Sequence, residues 1–149
     1  MLSLALFLVA VMAAQPGSRE RAQEATLDGI LGVSVGMTAG EARSRLALLG
    51  SGDSRRTRDG GLKEVWRLDG SGFAWIAFKA DADGRLVWVT GHRRPGHDMA
   101  FDRLASRVPD TRTDSIAIWH VEGAGGQHVR VTARGRHQRA QVLTLMLDE

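Results

Sequence analysis

The sequence predicts an α+β protein built as two tandem αβββ units, with antiparallel strands in one continuous or two adjoining sheets and helices packed on one side. Two observations carry that reading. A stretch of helical periodicity followed by three stretches of alternating polarity occurs twice along the chain. In addition, VWRLDGSG at residues 65–72 lines up with IWHVEGAG at residues 118–125, so that Trp66 matches Trp119 and Gly72 matches Gly125, while Arg45-Leu46 matches Arg103-Leu104 in the helical stretches. The expected division is residues 1–14 as a signal peptide, 15–26 as a flexible spacer, 27–91 as the first unit and 92–149 as the second.

Residues 1–14 (MLSLALFLVAVMAA) are uncharged and apolar except for Ser3. A helix needs about 20 apolar residues to cross a bilayer, so the run reads as a signal peptide, with Val11 and Ala13 as small-residue positions for cleavage after Ala13 or Ala14. The expected location is periplasmic or secreted; the alternative is anchoring by an uncleaved N-terminal segment. A lipid anchor is excluded because the chain has no cysteine, and disulfides and thiolate metal sites fall with it. Residues 15–26 are polar, with Pro and Gly, and suit a spacer.

Thr38 is placed to cap a helix, with Glu41 at the capping-box position and Ala42, Leu46 and Leu49 on one face until Gly50. Residues 51–61, rich in Gly, Ser, Arg and Asp, read as a loop. Strands are expected at 64–68, 73–80 and 85–91, the last two joined by Asp83-Gly84. In the second unit, residues 97–108 read as a helix with Phe101, Leu104, Ala105 and Val108 on one side, ended by Pro109. Strands follow at 115–121, 128–133 and 141–147.

Alternation assigns the faces. Val129, Val131 and Ala133 face the core between outward His128, Arg130, Thr132 and Arg134. Carried to the first unit, this register turns Ile76, Phe78 and Ala80 inward and Phe73, Trp75, Ala77 and Lys79 outward. A two-residue turn at Asp83-Gly84 adds Val87 and Val89 to the core and sets Trp88 outward opposite Lys79; a three-residue turn puts Trp88 inside. Phe73, Trp75 and Trp88, with Arg67, His120, His128 and Arg130, are therefore the candidate partner-binding residues, because aromatic and Arg side chains anchor interfaces. The competing reading is that the helix or the 51–61 loop folds over this face and makes it core.

Twenty basic against seventeen acidic residues leave a net charge of +3, too mild for a nucleic-acid partner. The high pI follows from 18 of the 20 cations being arginine. The basic cluster Arg130, Arg134, Arg136, His137 and Arg139 holds no stacking aromatic. His92 and His97 flank two arginines, which repel a cation, and Asp81 to Gly84 lacks the later ligands of a calcium loop, so no metal and no cofactor are expected. No Gly-x-Ser-x-Gly and no persuasive carboxylate pair occur, and the chain reads as a non-enzyme.

Residues 30–50 (ILGVSVGMTAGEARSRLALLG) resemble the opening motif of the BamE/SmpA/OmlA family of small envelope proteins, where a hydrophobic stretch leads into Gly-Met-Thr, a helix and a closing Leu-Gly. Gly36-Met37-Thr38 and Leu49-Gly50 stand in those positions, and Trp66, residues 75–78 and Asp83-Gly84 follow the family's strand and hairpin. The resemblance covers about residues 27–91. The lipoprotein cysteine and the proline after Leu-Gly are missing. The doubled plan is also similar to the secreted β-lactamase-inhibitor proteins, whose tandem units carry an aromatic-rich binding face. Together these imply a non-enzymatic exported protein-binding or envelope scaffold module acting on another envelope or secreted protein; the alternative is an inhibitor of a secreted or periplasmic hydrolase.

Overall fold

The computed structural model describes residues 24–148; the expected signal peptide and most of the spacer lie outside them. One helix, α1 (Ala39–Leu46), precedes strands β1 (Gly50–Arg56), β2 (Leu62–Leu68), β3 (Phe73–Ala80) and β4 (Leu86–Arg93). Then come β5 (Met99–Ala100), a 3₁₀ turn (Phe101–Arg103), β6 (Thr111–Arg112), β7 (Ile116–Glu122), β8 (His128–Arg136) and β9 (Arg139–Leu147). All nine strands join one sheet in the order β1-β2-β3-β4-β9-β8-β7-β6, with β5 beside β9 and every described pairing antiparallel.

This overturns the expected α+β architecture of two αβββ units with helices on a face: the described fold is a single, mainly β sheet with one short helix. The second expected helix, 97–108, is absent because the backbone of Met99 and Ala100 is taken into the β9 ladder and only one 3₁₀ turn follows, without a side-chain cap. Its apolar positions Phe101 and Leu104 are still buried, so the spacing recorded burial rather than helix. The expected loop after Gly50 is instead strand β1, paired along its whole length with β2. Its sequence GSGDSRR carries no apolar alternation because the strand lies exposed at the sheet edge. A ladder's hydrogen bonds come from the backbone, which any side chain supplies.

The helix forms as its cap signature predicts. The Thr38 hydroxyl accepts from the Glu41 amide, and the Glu41 carboxylate accepts from the Thr38 amide at 2.9 Å. Ala39, Ala42 and Leu46 turn toward the sheet.

Two rows of inward side chains cross the sheet. One runs Trp66, Ile76, Gly91, Leu143, Ala133, Ala117, and the next Glu64, Phe78, Val89, Leu145, Val131, Trp119. Ile30, Val33, α1, Phe101 and Leu104 join them in one buried cluster. The chain entering the fold is part of this packing. Ala25 is buried, and the Glu24 carboxylate accepts from the Gly72 amide, so residues 24–26 are packed against the fold instead of forming free spacer.

Among the described residues, Glu64 is the one buried carboxylate. It is 2% exposed, accepts from Arg43 Nε at 2.7 Å and Trp66 Nε1 at 3.0 Å, and lies 2.5 Å from Arg43 Nη2. Arg43 on α1 therefore ties the helix to β2. Arg43→Met strands the carboxylate in the core and is expected to lower stability by about 3 kcal/mol. Urea unfolding measures this, and a loss under about 1 kcal/mol would show that the pair is not needed.

Candidate functional site

The opposite side of the sheet carries no described helix or strand; α1 and the 3₁₀ turn both contribute to the core on the other side. Three outward rows cross it. The first is Lys63, Lys79, Trp88, Met146, Arg130, His120; the middle row is Val65, Ala77, Thr90, Thr144, Thr132, Ile118; the third is Arg67, Trp75, His92, Val142, Arg134, Ile116. Most of the middle row is short, whereas its neighbours are long or cyclic. The middle row is thus recessed into a shallow trough, in which Thr144 and Thr132 are half-buried while Ala77 and Thr90 are buried beneath their longer neighbours. At about 3.4 Å per residue, the outer rows stand about 14 Å apart along the strands. The floor is internally satisfied: Thr90 Oγ1 reaches the Leu143 carbonyl at 3.2 Å and Thr144 Oγ1 at 2.9 Å.

Two indoles stand on opposite walls. Trp75 is half-buried and stacks on His92, with ring centroids 3.7 Å apart and planes 19° from parallel. Partial burial holds the His92 imidazole below its ordinary value, favouring the neutral ring. Because the unfolded chain binds that proton more readily, this ring's contribution to stability is present above an unfolded value of about 6.5 and is lost as pH falls toward the folded one. Titration of the His92 ring protons by NMR is expected to give a midpoint below the ordinary imidazole value of about 6.5; a higher midpoint would mean that solvent reaches the ring freely. Trp88, also half-buried, has Lys63 Nζ 5.5 Å from its ring centroid.

Of the seven residues singled out from the sequence, Trp75, Trp88, Arg67 and Arg130 share this face. Arg67 is exposed directly opposite Trp75, and Arg130 lies 3.7 Å from the Asp148 carboxylate. His120 ends the first row but is tethered. Its amide donates to Asp110 at 2.7 Å, and its ring lies 3.1 Å from the same carboxylate, which these contacts hold below the ordinary range. His128 is exposed at the start of β8, opposite Glu122.

Phe73 requires a correction. It is fully buried, because a register shift between Phe73 and Trp75 turns it inward, where Gly91 leaves room for its ring. A Cβ at Gly91 would stand 2.8 Å from that ring. Val87 likewise leaves the inward row: Ala80 pairs with Leu86, and Leu86 is the buried residue. Sequence reasoning turned Arg134 outward without counting it as a candidate, and missed Lys63 and His92. The available signal was spacing, since positions four apart on a strand return to the same face, as 88 and 92 or 130 and 134 do.

Elsewhere, a cavity of about 560 Å³ lies beside the start of α1, lined by Ser34, Glu41, Arg45, Arg85 and Gln127 among others. Its charged groups are engaged locally: Glu41 caps Thr38, Arg45 donates to the Gly32 carbonyl, and Arg85 donates to the Gly36 carbonyl at 3.2 Å. Among the described residues, no three His, Cys, Asp or Glu side chains gather where they could hold a metal, and no helix is long and apolar enough to cross a membrane.

Compared with protein-family models, curated proteins and solved structures, the chain gives no match. The likeness of residues 30–50 to the BamE/SmpA/OmlA opening motif therefore rests on those residues alone.

Proposed function

We propose that this protein is a non-enzymatic exported module that binds another envelope or secreted protein on its open sheet face. The observation that carries the reading is the contrast between the two sides of the sheet. One is sealed by the N-terminal segment, α1 and the 3₁₀ turn, while the other displays Trp75 and Trp88 with no described element over them. Indoles flanked by arginine are what interfaces use as anchors, since each buries a large area for few lost rotamers. Export is supported by the apolar run at residues 1–14.

The test is cross-linking in the native envelope fraction followed by pull-down, with the parent protein and the Trp75→Ala/Trp88→Ala variant side by side. A partner captured by the parent and lost by the variant supports the reading. Identical capture by both overturns it.

A further inference from the structure

We infer that the trough takes an acidic, extended polypeptide segment, laid across the strands between the two indole-bearing walls. This rests on the binding reading above and adds the chemistry of the partner. It follows from where the charges are left uncompensated. Away from this face several arginines are answered, Arg43 by Glu64, Arg93 by Glu24, Arg112 by Asp102 and Arg139 by Asp98, while the exposed Arg58 and Arg136 meet no described acid but stand outside the rows and beside no exposed indole. On the open face, Lys63, Arg67 and Arg134 make no ion pair with a described residue, although the chain has nearly as many acids as bases.

Within the six-strand span of the three rows there is no carboxylate at all; acids approach only from the rim. Asp59 holds Lys79, Asp148 faces Arg130, Asp110 holds His120, Glu122 lies beyond the first row opposite His128, and Asp53 sits on the edge strand β1. Arg67 and Arg134 belong to one row, four strands apart, or about 19 Å at 4.8 Å per strand. That distance suits carboxylates spaced along an extended segment, with Trp75 and His92 between them offering apolar area.

A nucleic acid is disfavoured by the same geometry. Successive bases need closely spaced stacking faces, whereas these indoles are on walls about 14 Å apart and one is already covered by an imidazole.

The probe is a fluorescently labelled poly-L-glutamate of about 20 residues, with its anisotropy followed against the full chain at low and moderate salt, since exposed charges are screened within about 10 Å at 0.1 M. Saturable binding is expected, weakened by salt and by at least tenfold in Arg67→Glu/Arg134→Glu. The control Arg58→Glu/Arg136→Glu, with the same change of net charge outside the three rows, is expected to bind within twofold of the parent. Circular dichroism of both variants verifies folding, and Arg67→Gln/Arg134→Gln serves if charge reversal disturbs it.

An equal loss in the control pair overturns the inference, as does no loss in the face pair. Equal competition by dextran sulfate also overturns it, because a site for any polyanion is not a site for a polypeptide. The two proposals fail separately. Partner capture lost in the double indole variant but untouched by Arg67→Glu/Arg134→Glu keeps the binding face and removes the acidic partner.

Discussion

Replacing Phe73 by alanine is expected to lower stability by about 3–5 kcal/mol, the range for removing a buried aromatic ring. Trp75→Ala, two positions along, should lower it by only about 1–1.5 kcal/mol, the worth of a partial burial and one ring contact. The larger loss follows because the Phe73 ring is fully enclosed, lying against Gly91 and with the Arg93 guanidinium 4.6 Å from its centroid. Truncation leaves a cavity that a sheet held on both sides by ladder hydrogen bonds cannot close. In a domain of this size the melting temperature should fall by about 10 °C or more. Paired urea and thermal unfolding of the two variants is decisive. Equal losses would mean that Trp75 is sealed as Phe73 is, and the open-face reading would fail with it.

The second large effect is expected on binding. Once the captured partner is isolated, Trp75→Ala should weaken the complex by about 2 kcal/mol or more, roughly thirtyfold in Kd, with the fold intact. Alanine removes both the indole's area and the surface on which His92 rests, so the imidazole loses its stacking partner as well. Calorimetric titration reads the change directly. A change of less than threefold, with Phe73→Ala matched for residual fold, would move the anchor elsewhere on the molecule.

How far the site could be read in advance is clearest at Trp88. A two-residue turn was needed to set it outward, but the hairpin closes differently: Asp81 and Arg85 bond across the tip, and Gly84 takes the positive φ of 80°. That longer turn alone would have put Trp88 in the core. A second irregularity, at Val87, shifts the register back, and Trp88 emerges opposite Lys79. The right placement thus arose from two local departures that cancel. At Phe73 a single departure had nothing to cancel it, and the residue changed sides. Neither bulge is written in side-chain alternation: the one at Phe73 lies where Gly91 and Ile30 pack, and the one at Val87 follows Leu86, whose backbone bonds to Gly36 and Met37.

The split of the basic cluster shows the same limit. Arg130 and Arg134 reach the open face, while Arg139 is held by Asp98 and His137 sits in a turn at φ 51° near Asp114. Proximity in the chain grouped them; the strand alternation and the β8 to β9 turn separate them.

Local chemistry was enough for the Thr38 cap and the alternation that buries Val129 and Val131; carried across the repeated motif, the same alternation placed Ile76, Phe78 and Trp75 but not Phe73. Capping and the strand's period of two act over one turn or one pleat, so they are already present in the order of residues. Strand β1, the missing second helix, the joining of β4 to β9 and the inward turn of Phe73 were decided only by folding. Each depends on which distant backbone supplies the hydrogen bonds and which distant side chain fills the space, and a chain read in order carries no local mark of either.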